Sequence, residues 1–153
     1  MAGDILMTSF DEIYEVYLNR VVDRGLAKLI EEEDRYKDLQ LKLQMAIARF
    51  TDLKDIEVDF DARTITKTTS DDGKLSLVEI DILVCWMIVE WATPLVLNEN
   101  AIKERLTSTD YALYSPANML NQMRNLLTES ERRADRLSVK YGYLKNSKYG
   151  KNK

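Results

Sequence analysis

Histidine is absent from the 153 residues, and cysteine occurs once, at Cys85. The chain therefore cannot build a His/Cys zinc site, a Cys-His or Ser-His-Asp nucleophile system, or an internal disulfide. There is no excess of base: 22 Lys and Arg stand against 26 Asp and Glu, giving a net charge of −4 and a pI near 5.0. That balance argues against a nucleic-acid module held by phosphate neutralisation. Long apolar runs are missing. The longest, Ile82 to Val89, lies between Asp81 and Glu90 and falls well short of the roughly 20 residues of a membrane span. It reads as a buried core element that keeps Cys85 reduced. The start, Met1 to Leu6, lacks the basic and apolar regions of a secretory signal, and Ala2 is not the glycine of myristoylation. The expectation is a protein that stays in a cytosol.

What is present, 45% apolar and 31% charged residues, suits one soluble domain large enough to bury roughly 68–70% of its unfolded surface. Ser9-Phe10-Asp11-Glu12 is a capping box followed by apolar residues at helical spacing. It predicts a helix over about 10–23 that Gly25 ends. Tyr36, Leu39, Leu43, Ala46, Ile47 and Phe50 behind the acidic run Glu31 to Asp34 predict a second helix over about 32–51. The period then changes. Ile56, Val58 and Phe60 alternate with acids, and Ile65 alternates with threonines across Asp61-Ala62-Arg63, which predicts a small hairpin over 56–67 inside an insertion of about 52–74.

A second capping box, Ser76-Leu77-Val78-Glu79, opens a helix over about 77–92 that is apolar nearly all round and is broken or kinked at Pro94. Asn98 caps a short helix over about 99–106. Ser115-Pro116 starts a last helix over about 116–141, which Gly142 stops. Its seam of Leu120, Met123, Leu127, Ser130, Ala134, Leu137 and Tyr141 is spaced 3-4-3-4-3-4 and suits a partner helix. The remaining 145–153 carries four lysines and no acid, the composition of a basic tail that orders only on a partner.

Four residue patterns invite sharper readings. Asp55, Glu57, Asp59 and Asp61 alternate as calcium ligands do, but Phe60 stands at the turn glycine and Thr66 at the bidentate glutamate. A strand with one wet acidic face explains them better. Glu79, Asp81 and Glu90 flank the most apolar segment, where burial raises a carboxyl pKa and general acid-base work is conceivable. Capping accounts for Glu79, and solvent facing for the other two. Trp86 and Trp91 point to different faces of one helix and form no stacking platform, which leaves core packing, or an interface for one of them. Tyr143, Lys145, Lys148, Tyr149, Lys151 and Lys153 suit a docking arm, or else a merely solvating tail.

The segments Met87 to Pro94, Ser108-Thr109-Asp110-Tyr111, Tyr114 to Leu120 and the helix ending at Tyr141 resemble small head-tail connector (neck adaptor, or head completion) proteins of tailed bacteriophages. The resemblance covers about 76–144 and, more weakly, 32–51. It implies a mainly all-α subunit, forming a homo-oligomeric ring, usually dodecameric, in the virion neck after synthesis in the host bacterial cytoplasm. The implied partners are the portal protein, a tail or tail-completion protein, and viral DNA that passes through the lumen without specific binding. No cofactor, catalysis or membrane is implied. An acidic body suits such a conduit, because like charge suppresses phosphate binding.

The expected architecture is a small bundle of four to five helices in one domain, 1–144, with a long C-terminal helix, a hairpin insertion and a flexible tail, 145–153. Ile56, Val58, Phe60 and Ile65 are expected to face a neighbouring subunit or partner, since a lone hairpin is marginal and needs a cover. Two other functions compete with the connector. One is a cytosolic helical adaptor that binds a partner through the seam of its last helix, and the other is a small enzyme using buried carboxylates.

Overall fold

The computed structural model describes residues 6–30, 35–104 and 115–150. Its fold is mainly α, with five helices among the described residues and a three-stranded antiparallel sheet. The chain runs β1 (Thr8–Ser9), α1 (Phe10–Asp23), a 3-10 turn (Ala27–Leu29), α2 (Arg35–Arg49), β2 (Ile56–Asp59), β3 (Thr64–Lys67), α3 (Leu77–Leu97), α4 (Glu99–Glu104) and α5 (Pro116–Gly150).

Both capping boxes form. Ser9 and Ser76 accept from the amides of Glu12 and Glu79, whose side chains reach back to the cap amides, so orphan donors at each helix start are satisfied reciprocally. Gly25, at φ +73°, closes α1: its amide donates to Val22 O and that of Leu26 to Val21 O. This is the Schellman arrangement, and its accompanying apolar contact is supplied by the fully buried Val21 and Leu26. At the start of α5, Ser115 Oγ accepts from the Asn118 amide, and Pro116 occupies the first turn, where a missing N–H costs nothing.

α3 is the axis of the molecule and packs against α1, α2, α4 and α5. Its Ile82, Leu83, Val84, Met87 and Ile88 are fully buried, as an all-round apolar helix at the centre of a bundle should be. At 21 residues it is long and apolar enough to cross a membrane. In this fold it is a core helix, and its Glu79, Asp81 and Glu90 are each paired with a cation from another element. The helix continues past Pro94 to Leu97, further than the proline predicts. Pro94 lies within a turn of the end, so only one late intrahelical bond is forfeited.

The seam of α5 is occupied from within. Leu120, Met123, Ser130 and Ala134 are buried, Leu127, Leu137 and Tyr141 are partly so, and α3 is the helix they meet. A partner helix for that seam, as the adaptor reading requires, is thus already provided by the chain itself.

Three expectations need correction. The hairpin forms over the expected residues with Val58 opposite Ile65, but it is part of the core and does not project. Ile65 is fully buried, and Ile56 and Val58 pack against the same cluster. The cover for its apolar face is the core itself, and β1, unpredicted, pairs Thr8 with Ile65 and so makes β3 the central strand. The Phe10 amide donates to Arg63 O and the Leu75 amide to the buried Thr8 Oγ1, tying down the hairpin turn and the C-terminal end of the insertion.

Gly142 does not stop the last helix. α5 runs through it to Gly150, about 52 Å at 1.5 Å per residue. A Cβ at 142 would stand 2.9 Å from Asp52 Oδ2, so the glycine serves close approach of the α2–β2 connection. The tail beginning at 145 is, in consequence, helical as far as Gly150. Lys145 is bound to the body, donating to Asp52 O at 2.8 Å and lying 3.6 Å from Asp55 Oδ1. Lys148 and Tyr149 continue the helix, whereas Lys151 and Lys153 lie outside the described residues, as do Ser108 to Tyr114.

Candidate functional site

Where the start of α3, the hairpin and the C-terminal part of α5 meet, the packing is incomplete. An open cavity of about 600 Å³ is lined by Lys67, Val78, Leu137, Tyr141, Leu144 and Lys145, among others. Of its lining, Val78 (46% exposed) and Leu144 (57%) are open to water, and Leu77, Val139 and Tyr143 are exposed elsewhere on the same two helices. A cavity with exposed apolar side chains in its lining is a candidate interaction surface.

At the base of the cavity lies a charged network from three elements. Lys67 of β3 pairs with Glu79 of α3, and the Tyr141 hydroxyl of α5 donates to Glu79 Oε2 at 2.7 Å while accepting from Lys67 Nζ at 3.2 Å. Asp55 sits 3.4 Å from Lys67 Nζ and accepts from Thr69. Burial would raise the Glu79 pKa, but the bonds from Lys67, the Ser76 amide and Tyr141 outweigh it and hold Glu79 below the ordinary glutamate range. Burial would lower Lys67, yet Glu79 and Tyr141 hold it above the usual lysine value. Tyr141 is pushed up to about 12 by burial and by its bond to Glu79. All three keep their ordinary neutral-pH charge states, so the network fixes geometry at the base of the cavity and offers no group poised to exchange a proton.

The other two carboxylates singled out in the sequence are held in the same manner, contrary to their solvent-facing expectation. Asp81 accepts both Arg133 Nε and Nη2 and pairs with Arg20 Nη2 at 2.6 Å. Burial raises its pKa less than the two arginines lower it. Glu90 pairs with Arg49 Nε at 2.7 Å. Cys85, buried beside Asp81, has its thiol pushed up to about 11 by burial and then by the Asp81 charge. It stays protonated, hence a poor nucleophile.

No family model, curated protein or solved structure matches the chain. Its function must be read from its surfaces.

Of the residues expected to form a docking arm, Tyr143 is exposed, while Lys145 is folded onto the body beside Tyr141. Of the expected hairpin contacts, Ile56, Val58 and Ile65 are spent internally, and Phe60 alone is well exposed, at 43%. The alternating acids divide between two environments. Asp55 joins the network, and Glu57 and Asp59 form the outer face of β2, the wet acidic face the pattern predicts. Trp91 is buried edge-on to Tyr17, and half-buried Trp86 carries the Arg49 guanidinium over its ring at 5.1 Å. The exposed Leu77, Val78 and Val139 carried no signal in the sequence, because an exposed apolar residue just inside a capping box reads as one more core position.

Proposed function

We propose that the chain is a structural subunit of a tailed-bacteriophage neck, a head-tail connector that assembles as a ring and docks on the portal through the C-terminal end of α5. The observation that carries this reading is the open cavity with the exposed Val78 and Leu144 in its lining, together with Leu77, Val139 and Tyr143 exposed on the same two helices. Aromatic and aliphatic anchors of this kind, set on rigid helices, are what a protein partner buries. The sequence resemblance supplies the identity of that partner, and the mainly helical core is compatible with it. The charged network at the base of the cavity supports the same role, since it holds α3, β3 and α5 in one geometry whether or not a partner is present.

The test is co-sedimentation of the full chain with the portal of the same phage, followed by electron microscopy of the pellet. The expected result is a ring of chains on the portal. Tyr143→Asp with Leu144→Asp should abolish it while leaving the thermal midpoint unchanged, because both side chains are exposed. A wild-type chain that stays in the supernatant overturns the proposal.

A further inference from the structure

A second concave surface lies on the flank of the bundle, between the C-terminal half of α1 and the middle of α5. It is an open groove of about 520 Å³ with Cys85 and Ser130 in its wall and five arginines around it: Arg20, Arg24, Arg132, Arg133 and Arg136. Three of these are occupied. Asp81 takes Arg20 and Arg133, and Glu129 takes Arg24. Arg132 and Arg136, one turn apart on α5 and exposed, have no ion pair among the described residues. In a chain of net charge −4, five arginines against the two carboxylates of the lining, Asp23 and Glu129, make this groove a local excess of guanidinium.

The hairpin turn carries the complementary chemistry. Phe60 stands between Asp59 and Asp61, with one edge resting on Phe10 and the rest exposed. Glu57 and Asp59 face outward beside the neutral Thr66 and Thr64 across the ladder. Asp59 Oδ1 accepts the amides of Asp61 and Ala62, which fixes the turn. The basic residue of the turn, Arg63, is directed back to Asp11 at 3.4 Å. Glu57, Asp59 and Asp61 therefore present negative charge with no ion pair among the described residues. An aromatic ring flanked by carboxylates matches a groove of guanidiniums, which stack on aromatic faces and fork onto carboxylates.

We propose that the hairpin turn of one copy docks in the arginine groove of the next. Phe60 is the anchor, and the turn carboxylates pair with Arg132 and Arg136. One chain cannot make this contact with itself. The turn is fastened to the N-terminal residue of α1, and the groove begins at Arg20, about 15 Å further along the same helix at 1.5 Å per residue. The two patches are different surfaces, so the contact is head-to-tail and propagates, closing into a ring or continuing as a filament. It supplies a lateral contact and rests on the connector reading only for closure into a ring.

The experiment is sedimentation velocity of the full chain at low and high salt, with Arg132→Glu/Arg136→Glu, Glu57→Lys/Asp61→Lys and the variant combining all four. All the substituted side chains are exposed and none is used in the fold's own hydrogen bonds. Wild type should self-associate with concentration and dissociate with salt. Each double reversal should run as a monomer of unchanged helicity, and the fourfold variant should associate again. A wild type that remains monomeric, a double reversal that associates like wild type, or a folded fourfold variant that stays monomeric each overturns the proposal. The variants leave the α5 end intact, so portal binding measured in parallel separates a failed lateral contact from a failed connector reading.

Discussion

Glu79 is the residue on which most of the interior's charge depends. With 2% of its surface exposed, it is tolerable as an anion only because Lys67, Tyr141 and the Ser76 amide all donate to it. Lys67→Met strands that charge and should cost about 3–5 kcal/mol in urea unfolding, since a buried ion without its partner keeps its full desolvation penalty. The sign of the pH dependence follows from the depressed Glu79 pKa. Its stabilisation is fully present above the ordinary glutamate value and is lost as pH falls towards the lower value of the folded state. Lys67 contributes in the opposite sense, fully below its ordinary value and lost as pH rises through its raised one. The wild type should therefore show an acid limb in urea midpoint against pH, and Glu79→Gln should flatten it. An identical limb in both would assign the acid sensitivity elsewhere. Cys85, 1% exposed and with its thiol raised to about 11, should resist a disulfide reagent at pH 8 in the native protein and react fully in urea.

Among the elements, α3 and α5 carry the packing. Leu83→Ala should lower stability by about 2–5 kcal/mol through lost transfer energy and an unfilled cavity, read as a shifted urea midpoint. Gly142→Ala should be close to neutral: alanine gains about 1 kcal/mol in a helix interior, but its Cβ must displace the Asp52 carboxylate. In an Asp52→Ala background the same change should stabilise by about that 1 kcal/mol, and equal effects in the two backgrounds would show that Asp52 does not oppose it. These positions also show what could be read in advance. Ser9 with Glu12, Ser76 with Glu79 and Gly25 act through amides within five residues, so the boundaries they set are legible. Gly142 has the same local appearance as a helix stop, and only Asp52, distant in sequence, reveals it as a close-approach position. β1 is two residues paired to a strand more than fifty positions away, and the Lys67, Glu79 and Tyr141 network joins three elements. Nothing in a local window announces either. The exposed apolar residues escaped for the converse reason, since residues in a periodic pattern read as core until the neighbours that fail to cover them are known.

At the scale of the whole molecule the insertion is structural. Deleting 56–70 removes the buried Ile65 and the Lys67 that neutralises Glu79. The deleted chain should lose its cooperative melt in circular dichroism, whereas a retained sharp transition would show the helices to be self-sufficient. The central position of α3 has a further consequence, which concerns the order in which the chain is made. α3 leaves the ribosome before the helix that covers its longest face, α5, which begins only at Pro116. During that interval an all-round apolar helix of 21 residues has no finished neighbour on one side, and exposed apolar surface of this kind draws chaperones or aggregates. Nascent chains halted before residue 116 should remain protease-sensitive, and protection should appear abruptly once the seam from Leu120 to Ala134 has emerged. Synthesis of this protein thus has a late commitment point, and a premature stop in its C-terminal helix before Ala134 is a defect of folding before it is a defect of assembly.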